Sequence, residues 1–300
     1  MNQTKESSVY IIIPVHNRKN ITLSCLENLQ AIGDLQRYKV IVVDDGSTDG
    51  TADAICSLYP TITVLQGDGN LWWTGAIHKG MKYAYECGAN YFIWLNDDTF
   101  PSLNTIPLIL AACSQRLNKL VTAQCYDTSN FEHPTYGGQV RNFFSTKLIH
   151  TPQEQELECD CMSGNLVCLP RSIVDKIGYP PSAQLPHTLA DIVYTWQAKK
   201  VGFQLTVLGN ATAVCQFNPL EEGWSLSSIP MSDRWKLLSS LKSNLYPPSY
   251  WNYCKSFYGL LGIIPFIRVY FNLVLFTIIR WILPLTLIKR LKHIKDTIWL

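Results

Sequence analysis

Two pairs of adjacent carboxylates, Asp44-Asp45 and Asp97-Asp98, each follow an apolar run: Tyr38-Lys-Val-Ile-Val-Val43 and Tyr91-Phe-Ile-Trp-Leu-Asn96. Runs of this composition read as buried parallel strands. Strands that end in acids carry hard oxygen ligands to a sheet edge, where open α/β folds bind their ligands. Such an edge suits a divalent metal together with a polar, phosphorylated molecule. A glycine-rich stretch, Gly67 to Gly75, contains Asn70, Trp72 and Trp73. Its spacing does not match the G-x-G-x-x-G of dinucleotide binding. Its glycines let backbone approach a bulky ligand, and the two tryptophans either stack on a ring or pack in the core.

The elements that must position these residues alternate in the first half of the chain. Val9–Ile13 predicts a strand ended by Pro14, which supplies no ladder donor. Helical spacing follows over Arg18–Ala31, then the Tyr38–Val43 strand, a helix near Gly50–Leu58, a short strand at Thr61–Leu65, a helix over Thr74–Tyr85 and the Tyr91–Asn96 strand. Strands separated by helices of this length imply right-handed βαβ crossovers and a mainly parallel central sheet flanked by helices. The second half is less regular. Gly137-Gly138 and Ser163-Gly164 mark turns, a helix is expected over Thr188–Lys200 with Gly202 closing it, and two strands are expected at Gly202–Leu208 and Ala211–Phe217.

The chain of 300 residues has a formal charge of +2, but that balance is uneven. From Lys255 onward seven Lys and Arg face one acid, Asp296, leaving +6 there and −4 in the rest. A mildly acidic body with a basic tail argues against nucleic acid as a partner. The polar start lacks the apolar core of a signal peptide, and ten cysteines scattered through strand and helix patterns fit reduced thiols, so a cytoplasmic location is expected. The division expected is a catalytic body over residues 1–245 and an apolar, basic helical tail over 246–300. In that tail Phe257–Ile288 is strongly apolar, Arg268 and Arg280 interrupt it, and Pro265 and Pro284 are expected to kink it. Its longest uncharged stretch, Val269–Ile279, is eleven residues, short of the ~20 that span a bilayer. With Lys289, Arg290, Lys292, Lys295 and Trp281 beside it, the tail is expected to lie peripherally on the inner face of the cytoplasmic membrane. Packing on the body or in a homo-oligomer is the alternative.

Four segments in order resemble family 2 glycosyltransferases with the GT-A fold: Ile11-Ile-Ile-Pro14-Val-His16-Asn17-Arg18, Val42-Val-Asp44-Asp45-Gly-Ser-Thr-Asp49, Leu95-Asn96-Asp97-Asp98, and Pro186 to Phe203. Gly69-Asn70-Leu-Trp72-Trp73-Thr-Gly75-Ala76 is similar to the rhamnosyltransferase-like branch of bacterial surface-polysaccharide enzymes. The resemblance covers about Val9 to Phe217. It implies a nucleotide-sugar donor, with Pro14, His16 and Asn17 under the base and Asp44 and Asp45 reading base and ribose. It implies Mn²⁺ or Mg²⁺ on Asp98, the last member of a DXD-like triplet whose first position is Asn96, with Asp97 meeting ribose or metal-bound water. Asp191 becomes the base that deprotonates an acceptor hydroxyl. Asn70, Trp72, Trp73 and Gly75 fall on the donor-sugar side, and Ser163, Gly164 and Asn165 on the acceptor side. The structural readings are a helix cap for Asp191, a turn for Ser47–Asp49 and a hydrogen-bonded ring for His16.

The resemblance implies an inverting transfer of a sugar from dTDP-rhamnose or a UDP-hexose to a lipid-linked glycan in polysaccharide assembly. Relatives often carry a His metal ligand after the base, but here the only later His is His293 in the tail. Met231-Ser-Asp-Arg234-Trp235 resembles the Q-x-x-R-W motif of processive synthases without its Gln, so one sugar per encounter is expected. A sugar nucleotidyltransferase would want a glycine- and cation-rich loop after the first strand, where Pro14-Val-His-Asn stands instead. A non-catalytic, membrane-bound nucleotide-sugar-binding subunit is the third reading.

Overall fold

The computed structural model describes residues 8–142, 145–216, 231–284 and 286–287, which fall into two compact units, one within 1–217 and one within 218–300. His293 and the basic cluster from Lys289 lie outside the described residues.

The first unit opens as the alternation predicts: β1 (Val9–Val15), α1 (Lys19–Ala31), α2 (Asp34–Arg37), β2 (Lys39–Asp44), α3 (Thr51–Leu58), β3 (Thr63–Gln66), α4 (Trp72–Glu86) and β4 (Tyr91–Leu95). It continues with β5 (Phe100–Pro101), α5 (Thr105–Ser114), β6 (Lys119–Asp127), β7 (Asn130–Tyr136), β8 (Gly138–Asn142), β9 (Ser145–Leu148), β10 (Glu156–Glu158), β11 (Cys161–Met162), β12 (Leu166–Pro170), α6 (Ser172–Ile177), α7 (Ala190–Lys200) and β13 (Gln204–Val214). The main sheet has the order β10-β13-β6-β12-β4-β1-β2-β3, with β5 on β13 and β7 on β6. The strands β3, β2, β1 and β4 are mutually parallel, as are β6 and β13. Between those groups β12 runs antiparallel to both neighbours, β4 and β6. The start of β12 therefore meets the ends of β1, β2 and β4 at one sheet edge. A smaller sheet, β11-β8-β9, stands apart.

Strand side chains alternate between two cores. Ile11, Ile13, Val42, Ile93 and Leu95 pack with Leu26 and Leu29 of α1, Ile55 of α3 and Ile106 and Ile109 of α5. On the other face Tyr10, Ile12, Val43, Phe92 and Trp94 pack with Ile77 and Met81 of α4 and Tyr194 of α7. This is a mixed α/β sheet flanked by helices.

Three local expectations change. Pro14 lies inside β1, in register with Val43. Pairing of β1 with β4 stops at Ile12, so one side of β1 needs no donor at Pro14. Helix α4 begins at Trp72, two residues before the expected start. The two strands expected around Gly209-Asn210 are one strand, β13, whose register on β6 shifts between Val207 and Thr212. A bulge, not a reversal, absorbs that glycine.

The second unit contains α8 (Met231–Lys236), α9 (Pro247–Tyr258) and α10 (Ile263–Ile282). Pro265 does not kink α10, because it sits in the first turn, where the N–H it lacks has no helical partner. Pro284 follows the end of the helix. The helical run Pro247–Ile282 is long and apolar enough to cross a membrane, by length and composition only.

Candidate active site

The ends of β2 and β4 carry the four acids, all on the edge described above. Asp97 is buried, and Asp98 is about one-third exposed at its side chain. One cation serves both: Arg18 Nη1 lies 3.0 Å from Asp97 Oδ1 and Nη2 lies 2.9 Å from Asp98 Oδ2. Arg18 precedes α1, and its backbone is pinned because its carbonyl accepts from Thr22 N at 3.0 Å and Thr22 Oγ1 at 2.9 Å. Thr22 Oγ1 also lies 3.0 Å from Asp97 Oδ2. Burial pushes the Asp97 carboxyl up to about 6, with Arg18 opposing that rise and Asp98 adding to it.

The β2 acids are tied into loops. Asp45 accepts from three backbone amides, Gly69 at 2.9 Å, Leu71 at 3.1 Å and Trp72 at 2.8 Å. It thereby holds the Gly67–Leu71 loop and the amide of Trp72 at the start of α4. A Cβ at Gly67 would stand 2.6 Å from Asp45 Oδ1, so this contact requires glycine. Asp44 Oδ1 accepts from Ser47 N at 2.9 Å, while its buried Oδ2 has no hydrogen-bond partner among the described residues. His16 Nδ1 donates to the Asp45 carbonyl at 2.6 Å, and Nε2 faces Asn17 Nδ2 at 3.1 Å. Asn17 receives Thr48 N at 2.7 Å and donates its own N–H to Ser47 Oγ at 2.8 Å. His16 and Asn17 thus clamp the end of β1 to the loop after β2, while Pro14 lies inside β1 opposite Val43. Asp49 accepts from Lys19 N at 2.9 Å and Thr51 N at 3.1 Å, anchoring the starts of α1 and α3.

A second group is contiguous with Asp97-Asp98. Trp73 Nε1 donates to Asn96 Oδ1 at 2.8 Å, and its ring meets Trp94 edge-on at 5.5 Å. Asn96 N donates to Asn165 O at 3.0 Å. Gly164 N donates to Asp191 Oδ2 at 2.7 Å. A Cβ at Gly164 would lie 2.5 Å from the Trp73 ring and 3.2 Å from Asp191 Cβ, so only glycine lets these three meet. Asp191 stands in the first turn of α7, with Oδ1 accepting from Ile192 N at 2.8 Å. Burial raises its pKa, against the lowering effect of those two amides. Ser163 is buried and receives Gln139 Nε2 at 3.1 Å. Asn165 Nδ2 lies 3.4 Å from Cys215 Sγ, which is 3.9 Å from Asp98 Oδ1. Trp72 meets His187 edge-on at 5.6 Å, and its φ of +56° marks the bend into α4. Asn70 is exposed and bonded to Asp68, and Gly75 lies inside α4 against Leu71.

A divalent cation is what the fold family implies for this edge. The donor set fits one, because both carboxylates already converge on a single positive charge, the Arg18 guanidinium. Among the described residues no group of three or more His, Cys, Asp or Glu is placed to hold a metal, so oxygens of a bound ligand and water would complete the shell. Arg18 and Cys215 are site residues to which the sequence reading gave no role, and Asn96, the first member of the DXD-like triplet, gains one as the partner of Trp73. The signal for Arg18 was its place after His16-Asn17, but its partners lie about 80 positions away and meet it only through the β1–β4 pairing.

The profile of glycosyl transferase family 2 matches residues 10–175, and the chain belongs to this family. Among solved structures, the fold is similar to GalNAc-T7 with UDP, GalNAc and Mn²⁺, at 12% identity and a TM-score of 0.57, covering 90% of this chain and 56% of that one. It is similar to the Pyrobaculum calidifontis mannosyltransferase PcManGT in complex with GDP-Man and Mn²⁺, at 15% identity and a TM-score of 0.54, covering 90% and 80%. It is also similar to S. aureus TarS 1-349, at 13% identity and a TM-score of 0.54, covering 83% and 80%. At these identities the likeness is one of fold. No curated protein matches the chain by sequence.

Proposed function

We propose that this family 2 glycosyltransferase moves one sugar, with inversion, from dTDP-rhamnose or a UDP-hexose to a hydroxyl of a lipid-linked glycan at the cytoplasmic face of a membrane. The observation that carries the reading is the continuous path Asp98–Asp97–Asn96–Trp73–Gly164–Asp191, which joins a cation-binding carboxylate pair to a separate, partly buried acid. Asp191 is set by Gly164 N–H in a position to take the acceptor's proton, leaving the oxygen to displace the nucleoside diphosphate in a single step. Its raised pKa makes it a better proton acceptor than an exposed aspartate. Asp44 Oδ2, a buried acceptor with no hydrogen-bond partner among the described residues, would be satisfied by an N–H of the base or a sugar hydroxyl once a bound donor reaches it. Asp45, His16 and Asn17 support this side of the site by holding its loops. Mn²⁺ or Mg²⁺ on Asp98, with Asp97 behind it, would supply charge that stabilises the departing diphosphate. The acids of all three roles in one chain favour a transferase over a non-catalytic subunit.

The test is calorimetric titration with UDP-, dTDP- and GDP-sugars, with and without Mn²⁺, beside Asp98→Ala. Metal-dependent binding of one nucleotide sugar, lost in the variant, is the expected result. Failure of every nucleotide sugar to bind would overturn the reading.

A further inference from the structure

We propose that Arg18 is an exchangeable counter-ion: it holds Asp97 and Asp98 in the free enzyme, gives up Asp98 to the divalent cation, and then pairs with the donor's diphosphate. This rests on the donor-site reading above and adds a residue and an order of events to it. Three observations carry it. First, the guanidinium forks across both carboxylates, at 3.0 Å and 2.9 Å, so a cation reaching Asp98 must compete with it. Second, the two ends of Arg18 differ. Its carbonyl is fixed by two bonds from Thr22, whereas its side chain is 42% exposed, so it can change partners without moving α1. Third, the charge at this edge needs it. Asp44, Asp45, Asp97 and Asp98 stand together, and among the described residues no other Lys or Arg is ion-paired with any of them. A diphosphate arriving there would meet net negative charge, and an arginine released by the metal is a group at this edge able to pair with it bidentately. Throughout the exchange the buried Asp97 keeps a cation beside it, as an ionised carboxylate in that setting requires.

The proposal predicts effects of opposite sign from one substitution, which loss of structure would not produce. Binding of Mn²⁺ alone is read from the free-ion signal in electron paramagnetic resonance, for wild type, Arg18→Gln, Arg18→Lys and Asp98→Ala. Arg18→Gln should bind Mn²⁺ about 3- to 10-fold tighter than wild type, since a competing ion pair is removed. Arg18→Lys, which keeps the charge without the fork, should fall between them, and Asp98→Ala should bind none. At saturating Mn²⁺, Arg18→Gln should bind UDP, dTDP or GDP, whichever wild type takes, about tenfold more weakly. Unchanged or weaker Mn²⁺ binding by both Arg18 variants, with wild type still binding metal and nucleotide, would overturn the exchange and leave the donor site standing. Absence of Mn²⁺ binding in every protein, with or without nucleotide, would overturn both.

Discussion

Asp191 shows how much one side chain's surroundings decide its chemistry. An aspartate in water is a weak base because it gives up its proton readily. Burial at the start of α7 raises the pKa, and the amides of Gly164 and Ile192 keep that rise in check. With Asp191 as the proposed base, the active form is the deprotonated one, so kcat/KM should fall as pH drops through the raised pKa, by about tenfold per unit, and be flat in this group above it. Asp191→Asn keeps the shape and removes the proposed base. It should lower kcat by about 10²- to 10⁴-fold while nucleotide-sugar affinity, measured by calorimetry, stays within a few-fold. A variant that retains full turnover, or keeps the acid limb of the pH profile, would exclude Asp191 as the base.

At the scale of elements, the acids build the site as much as they act in it. Asp45 sits beside Asp44 in the sequence but spends its carboxylate on the Gly67–Leu71 loop and α4. Asp45→Ala should therefore cost about 1–3 kcal/mol in denaturant unfolding, with Asp45→Asn recovering part of it. Equal stability of all three proteins would remove the capping role. Gly164→Ala should drive Trp73 and Asp191 apart, costing about 1–3 kcal/mol of overpacking and lowering kcat beyond what the stability loss explains. Much of this arrangement was legible beforehand. The apolar runs predicted β1, β2 and β4, and acids at their ends predicted the edge, because strand period and termination are local properties. The antiparallel insertion of β12 was not legible, since nothing between Cys161 and Pro170 encodes which strands will flank it. Nor was the Trp73–Gly164–Asp191 contact, which unites a helix start, a turn and a second helix start from positions far apart. The bulge in β13 was missed for the opposite reason: Gly209-Asn210 has local turn chemistry that pairing with β6 overrides.

At the scale of the whole molecule, the sequence before Lys255 is mildly acidic and the stretch from Lys255 onward is basic and apolar. In α10 an exposed row recurs at alternating steps of three and four: Ile264, Ile267, Phe271, Val274, Ile278 and Trp281. Such a row seeks either lipid or a second copy of itself. The cations favour the lipid surface proposed above. Arg268 lies within α10, and Lys289, Arg290, Lys292 and Lys295 follow it, with only Asp296 to offset them. Pairing two such tails would bring like charges together, whereas an anionic bilayer surface satisfies both the apolar row and the cations. The full chain should then sediment with vesicles containing phosphatidylglycerol and much less with phosphatidylcholine alone, and 1 M salt should weaken the binding. At roughly 1 kcal/mol per cation, replacing Lys289, Arg290, Lys292 and Lys295 with Gln should weaken it by on the order of a thousandfold. Phe271→Glu should act on the same equilibrium through the apolar row. A chain that ignores anionic vesicles but forms a dimer that Phe271→Glu dissolves would assign the row to self-association, and the lipid-linked acceptor proposed above would lose its support from the tail.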